Sequence, residues 1–120
     1  MRLHNVTFDA HDPVALATFW SAVLERPLGE GAGEHFAFID RTPTDPAWLF
    51  IHVPEGKAAK NRMHVDLDCD DLAAARAQLE GLGASFVHEQ REYGVSWMTF
   101  RDPEGNEFCV ARHADDEVVG

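Results

Sequence analysis

Alternating and helical hydrophobic patterns follow one another along the first part of this 120-residue chain. Apolar and polar residues alternate from Leu3 to Ala10, and an amphipathic stretch then runs from Asp12-Pro13 to a point before Pro27. Asp is a favoured helix N-cap, and Pro is tolerated at the first helical position because its missing N–H needs no partner there. The pattern predicts a strand followed directly by a helix.

The same order returns in the second half of the chain. Residues alternate from Met63 to Cys69, and an apolar helical stripe follows Asp71 and closes at Gly81 and Gly83, a residue type common just past helix ends. Shorter β-like stretches after each helix predict further strands. They cover residues 34–40 and 48–53 in the first half and 84–89, 95–101 and 106–111 in the second, with a weak strand near Leu28.

A shift of 59 residues superimposes the two halves, and four of five aligned pairs are identical. The pairs are Asn5 with His64, Val6 with Val65, Asp9 with Asp68, Asp12 with Asp71, and Ala15 with Ala74. Asp45-Pro46 likewise precedes one last strand as Asp102-Pro103 precedes the other, at a shift of 57. The repeat predicts two tandem β-α-β-β-β modules, about 1–55 and 61–113, in a single α+β domain with an acidic tail over 114–120.

Charge and composition narrow the class of function. The net charge is −11, with 10 Lys and Arg against 21 Asp and Glu, so we expect no nucleic-acid partner. The acidity serves solubility or favours cationic or metal-bound ligands. An apolar run of about 18 residues is absent, which predicts no membrane anchor and a cytoplasmic protein. The two cysteines form no paired motif and are expected to be reduced.

Polar side chains share one face of each predicted first strand. Period-two alternation groups Asn5, Thr7 and Asp9 in one module. It also groups His64, Asp66 and Asp68 in the other, and Glu107 with Cys109 on the last strand. A solvated sheet face is one interpretation. The residue types, with no Lys among them, weaken that interpretation and leave a binding site as the alternative.

Three runs of sequence carry a resemblance to a known family. They are HNVTFDAHDPVALATFWSAVL, KNRMHVDLDCDD and WMTFRDPEGNEFCVAR, and DPEGNEF is the most specific piece. Together, over roughly residues 2–113, they resemble small glyoxalase-like proteins of the glyoxalase/bleomycin resistance/dioxygenase (vicinal oxygen chelate) superfamily. The resemblance implies mixed sheets curled around a cleft with helices on the outer face, a divalent metal bound in the cleft, and a homodimer.

The family's metal-ligand positions map onto this chain with one departure. The first-strand ligand lies seven residues before the acidic helix cap, which selects Asn5 and His64. The last-strand ligand, usually Glu, falls on Cys109. In the first module it falls on His52, or on Ile51 after a one-residue slip. The resemblance therefore implies His64, Cys109 and His52 as ligands of a divalent ion (Zn, Ni, Mn or Fe). Alternatively, His64 only orients a ligand and Cys109 packs as a small hydrophobe.

Two functions follow from the resemblance. One is a metal-assisted lyase or isomerase acting on a small oxygenated metabolite, with Glu107 as the catalytic carboxylate. Its expected substrate contacts are Asn5, Thr7, Asp66 and Trp97. The other is non-catalytic binding of a drug or metabolite, as in bleomycin-resistance proteins. An extradiol dioxygenase is disfavoured because its iron site needs a carboxylate where this chain has Cys109. A third possibility is an accessory domain with a vestigial cleft.

Overall fold

The computed structural model describes residues 3–59, 64–92 and 95–112, and within them the chain forms seven strands and two helices. It divides between Lys57 and Ala58 into two compact units. The first unit contains β1 (Asn5–Ala10), α1 (Pro13–Leu24), β2 (Phe36–Ile39) and β3 (Ala47–His52). The second contains β4 (Val65–Cys69), α2 (Leu72–Leu82), β5 (Ser85–Glu92), β6 (Val95–Arg101) and β7 (Glu107–Arg112).

The first unit is a three-stranded sheet in the order β1-β3-β2 with α1 packed on one face. β1 and β3 are parallel, and β2 is antiparallel to β3. An aromatic core joins sheet and helix. The Phe8 ring centre lies 5.5 Å from that of Trp48 and 5.3 Å from that of Phe50, while Trp20 of α1 lies 5.1 Å from Trp48. Trp20 and Phe50 are fully buried, so this cluster supplies much of the unit's apolar burial.

The second unit is a four-stranded sheet in the order β4-β7-β6-β5, with β4 and β7 parallel and the other pairs antiparallel. Phe86, Phe100 and Phe108 stand side by side on three neighbouring strands, with ring centres 5.6 and 5.8 Å apart. The Arg76 guanidinium of α2 covers Phe86 at 3.7 Å. The helix-facing side of this sheet is therefore its apolar side.

Both helices begin where the repeated aspartates predict. The Asp12 carboxylate accepts a hydrogen bond from the Ala15 N–H at 3.2 Å, and Asp71 accepts one from the Ala74 N–H at 3.1 Å. Each bond satisfies one of the N–H groups that a helix start leaves without an intrahelical partner. α2 ends at Gly83, whose φ of 109° lies in the left-handed region that glycine adopts without strain.

The two units differ after the first helix. The weak strand predicted near Leu28 is reduced to an isolated bridge between Leu28 and Ile39. Gly29 follows, and its N–H donates to the Phe38 carbonyl at 2.8 Å. A Cβ on Gly29 would lie 2.1 Å from the Phe38 ring, so a side chain there would force that ring to move. In the second unit β5 extends over eight residues, with a bulge between Phe86 and His88.

The predicted α+β class is confirmed, with the strands arranged in two sheets of mixed direction and one helix on each. The predicted acidic tail, 114–120, lies outside the described residues. Neither helix in the described part of the chain has the length and apolarity needed to cross a membrane.

Candidate functional site

The face of the second sheet opposite α2 is polar, and we call it the polar face. Strand pairing aligns Asp66 with Cys109 and Cys109 with Thr99, so these three side chains form a row across β4, β7 and β6. Because side chains alternate along each strand, the neighbours of this row extend the same face. They are His64, Glu107, Arg101 and Trp97.

Three side chains of the polar face come together as a candidate metal centre. His64, Asp66 and Cys109 each offer one ligand atom, and these atoms lie within 4.8 Å of one another. His64 Nδ1 is 3.6 Å from the Asp66 carboxylate, and both residues are exposed. Imidazole, carboxylate and thiolate are all ligands of Zn²⁺. The sequence predicted His64 and Cys109 as metal ligands and Asp66 as a substrate contact; the strand register brings the three side chains together.

Glu107, the predicted catalytic carboxylate, lies two residues before Cys109 on the polar face. Two residues along a strand span about 7 Å. The Glu107 carboxylate accepts a hydrogen bond from the Arg101 guanidinium at 3.3 Å across the β6–β7 pair. The ion pair fixes which way Glu107 points on this half-exposed surface. Arg101 was not predicted, although its alternation with buried Phe100 is a signal that it shares a face with Glu107.

Trp97 and Thr99 complete the β6 side of this face. Trp97 is half-buried and lies opposite Ala111 of β7. Thr99 is buried, and its hydroxyl oxygen lies 3.5 Å from the Cys109 sulfur. Thr99 thus flanks Cys109 on the side opposite Asp66. Thr99 was also missed by sequence reasoning, since a threonine in a strand is ordinarily a packing residue.

The predicted substrate contacts of the first unit lie on β1. Asn5 and Thr7 share the side of their sheet opposite α1, and the Asn5 amide donates to the Thr7 hydroxyl at 2.8 Å. His4 Nδ1 lies 2.9 Å from the Asn5 amide oxygen. Asn5 therefore already has partners at both ends of its amide, which orients it.

The register of β3 decides where His52 lies. Asp9 of β1 pairs with Ile51, so Ile51 shares the face of Asn5, while His52 lies on the opposite, helix-facing side with Trp48 and Phe50. His52 Nδ1 lies 3.0 Å from the His11 carbonyl oxygen. Its role as a metal ligand with His64 and Cys109 stays a prediction.

The two cysteines occupy opposite faces of the second sheet. Cys109 lies on the polar face, and Cys69 lies on the helix-facing side of β4. Burial raises the pKa of the Cys69 thiol, and the nearby carboxylates of Asp68, Asp70 and Asp71 raise it further, while a backbone hydrogen bond at Asp71 opposes them. Cys69 is thus held as a neutral thiol, away from the candidate metal centre.

Two units that each set the first and last strands side by side in parallel, with an Asp-capped helix on the sheet, have the architecture of the vicinal oxygen chelate superfamily. A family model described as a glyoxalase-like domain matches residues 5–111, and the chain belongs to this family. No protein with a curated description matches it significantly in sequence.

Solved structures with the same fold agree with this assignment. A glyoxalase/bleomycin resistance protein/dioxygenase family enzyme from Burkholderia phytofirmans PsJN is 16% identical, with a TM-score of 0.77 over 93% of this chain and 98% of the other. Lactoylglutathione lyase from Agrobacterium tumefaciens is 18% identical, with a TM-score of 0.64 over 92% of each chain. The fosfomycin resistance protein FosX from Mesorhizobium loti is 15% identical, with a TM-score of 0.71 over 100% and 98%.

Proposed function

We propose that the chain is a metal-assisted lyase or isomerase of the glyoxalase type, which binds a small oxygenated metabolite on the polar face of its second sheet. The observation that carries the proposal is the convergence of His64, Asp66 and Cys109 ligand atoms within 4.8 Å of one another. The lactoylglutathione lyase with the same fold supports the reaction class.

The residues present fit a divalent ion of borderline softness. One imidazole, one carboxylate and one thiolate are the donor types that zinc accepts, and three protein ligands leave a fourth position for an oxygen of the substrate. The set contains a single histidine, so it does not match the two-histidine, one-carboxylate site of non-haem iron oxygenases. Zn²⁺ is therefore our first choice, ahead of Ni²⁺, Mn²⁺ and Fe²⁺.

In this proposal each neighbour of the centre has a separate task. When bound, the ion supplies polarisation of a carbonyl or hydroxyl oxygen of the metabolite. Glu107 accepts a proton from the carbon next to that oxygen and returns it to a neighbouring position. Arg101 holds the Glu107 carboxylate in place through its 3.3 Å contact. Trp97 offers a half-buried aromatic surface for the apolar part of the substrate.

The second candidate function is non-catalytic binding of a cationic drug or metabolite. The observation that favours it is charge: the chain carries a net charge of −11, and Asp66 and Asp68 are both exposed on β4. A ligand held by complementary charge and an aromatic wall needs no metal. The contacts predicted for Asn5 and Thr7, which belong to the first unit, stay a prediction.

Metal content separates the two functions. Protein purified without added metal, then loaded with Zn²⁺ and dialysed, is expected to retain one equivalent per chain by elemental analysis. His64→Ala and Cys109→Ser are expected to retain much less, because each removes one ligand. With Co²⁺ in place of Zn²⁺, the sulfur-to-metal charge-transfer band should be present in the wild type and absent in Cys109→Ser, which is a readout independent of activity.

Matched controls come from the same unit. Cys69→Ser removes the other thiol, and His88→Ala removes an exposed histidine on β5, so both should retain the ion. A wild type that holds no ion, or a Cys69→Ser variant that loses as much as Cys109→Ser, contradicts the metal centre. Tight binding of a cationic drug such as bleomycin by the metal-free chain would then support the second function.

A cytoplasmic homodimer is part of the proposal. Light scattering after size exclusion should give twice the chain mass of 13.4 kDa. A single-chain mass at all concentrations tested contradicts this part alone and leaves the metal proposal standing.

A further inference from the structure

Three histidines line a pocket in the first unit, and none of its lining residues belongs to the proposed metal centre. The pocket has a volume of about 470 Å³ and is lined by His11, Asp12, Pro13, Glu34, His35 and His52. Three imidazoles and two carboxylates thus border one opening, although residues 11, 34–35 and 52 are far apart in sequence. All five of these side chains belong to exposed residues and are accessible to a ligand.

The backbone brings these side chains to the same place. The His52 N–H donates to the His35 carbonyl at 2.9 Å, which ties the residue before β2 to the end of β3. On the other side, Ala10 of β1 pairs with His52 of β3, so His11 follows directly beside it. The ring centres of His11 and His52 are 6.2 Å apart.

His52 presents a defined nitrogen to the pocket. Its Nδ1 lies 3.0 Å from the His11 carbonyl oxygen, which can only accept, so Nδ1 carries the proton of the neutral ring. The remaining nitrogen, Nε2, is then an acceptor. A histidine whose other ring nitrogen donates to a backbone carbonyl is the usual arrangement around metal-ligating imidazoles, because it fixes the tautomer and the ring orientation.

The two rings lie near the spacing that one shared ion requires. Imidazoles bound to a tetrahedral ion at about 2.0–2.1 Å place their ring centres roughly 5 Å apart. The ring centres of His11 and His52 are 6.2 Å apart, so the two side chains must move about 1 Å closer to share a Zn²⁺ ion. On the segment before β2, His35 Nε2 lies 3.5 Å from the Glu34 carboxylate.

We propose that His11 and His52 form a second transition-metal site in the first unit, which His35 completes when a divalent ion such as Zn²⁺ binds. Within the described residues, only His64, Asp66 and Cys109 have ligand atoms already gathered within 4.8 Å. The histidine pocket must therefore draw its side chains inward, and it binds more weakly than the centre on the polar face. The space left in the pocket holds water or a small anion carried by the ion.

The test isolates the first unit within the full chain. The His64→Ala/Cys109→Ser double variant disables the centre on the polar face, and Zn²⁺ binding to it is followed by calorimetry. This background is expected to bind one equivalent. Replacing His52 with Asn keeps a donor for the His11 carbonyl but removes Nε2, and should weaken binding at least about tenfold. His35→Ala should also weaken it, whereas His88→Asn in the second unit should leave it unchanged.

The electron paramagnetic resonance spectrum of the Cu²⁺-loaded double variant gives an independent readout. Its nitrogen hyperfine structure should show one coordinated nitrogen fewer when His52 is replaced with Asn. The proposal is overturned if the double-variant background binds no Zn²⁺, or if His52→Asn binds as tightly as that background. It is also overturned if His88→Asn weakens binding as much as His52→Asn. The result is independent of the proposed function, because the background lacks two of the three ligands on the polar face.

Discussion

The two units have the same order of elements, but they differ in the side chains on the sheet face opposite the helix. In the first unit β2 and β3 present an apolar surface there, made of Phe36, Phe38, Leu49 and Ile51. In the second unit the corresponding side is the polar face.

The repeated positions explain the similarity. The identical pairs at a shift of 59 include the valines on the helix-facing side of β1 and β4 and the aspartates that cap both helices. Another identical pair, Asp9 and Asp68, is exposed on the opposite side, where Asn5 and His64 differ. The repeat thus preserves the caps and the alternation and differs at a candidate binding position.

The largest expected effect tests whether both cores matter equally. Phe50 of the first unit and Phe100 of the second are fully buried, so replacing either with Ala should lower the free energy of unfolding by about 3–5 kcal/mol. Urea denaturation followed by circular dichroism measures the loss. Phe36→Ala is the control, since Phe36 is 40% exposed and should cost about 1 kcal/mol. If only one of the two buried positions loses less stability than the Phe36→Ala control, the two cores do not contribute equally.

The next effect concerns the two Asp-Pro turns, which look alike in sequence. The Asp102 carboxylate is buried and accepts hydrogen bonds from the Glu104 N–H at 2.9 Å and the Asn106 N–H at 2.9 Å. The exposed Asp45 carboxylate accepts hydrogen bonds from the hydroxyls of Thr42 and Thr44, at 3.3 and 3.2 Å.

Asp102→Ala should therefore lower the free energy of unfolding by about 2–4 kcal/mol, because it leaves two half-buried N–H groups without their acceptor. Asp45→Ala should cost no more than about 0.5 kcal/mol. Thermal and urea unfolding of the two variants check this difference. Equal losses would show that the two turns are equivalent after all.

The smallest effect distinguishes the two faces of the second sheet through Cys69. Burial is the main cause that raises the pKa of the Cys69 thiol, and nearby carboxylates raise it further. The folded chain therefore holds the thiol proton more tightly than the unfolded chain does. The resulting stability is complete below the unfolded pKa of about 8.5 and is lost as the pH rises through the folded value.

In a Cys109→Ser variant, Cys69 is the only thiol. Iodoacetamide should then react more slowly at pH 8 with the folded chain than with the chain in urea. Stability should also fall from pH 8 to pH 10, and by less in Cys69→Ala. Equal labelling rates in the folded and unfolded chain would contradict the burial of this thiol.

The helix caps and the order of elements along the chain could be read from the sequence because they depend on local signals. Asp12 and Asp71 each precede a helical stripe, and the structure confirms both caps. The strand near Leu28 lacked such a signal and is only a bridge. The sequence also did not predict on which side of β3 His52 lies, for another reason. Trp48, Leu49, Phe50 and Ile51 are all apolar, so alternation does not tell the two sides of β3 apart.

The candidate sites depended on contacts between distant segments. Asp66 joins Cys109 only because β4 and β7 pair in one particular register, and no local pattern predicts that register. The histidine pocket needs three segments at once, and its members have no shared spacing in the sequence.

The turn at Asp102 has a consequence for how relatives of this chain are grouped. DPEGNEF is the most specific run of the chain, yet in the structure Asp102 accepts hydrogen bonds from the backbone of that run, and Gly105 takes a φ of 88°, which glycine adopts without strain. A search by this signature therefore selects chains for a loop geometry and carries no information on the reaction. Variation at positions 64, 66 and 109 among the chains so collected would instead bear on the proposed metal centre.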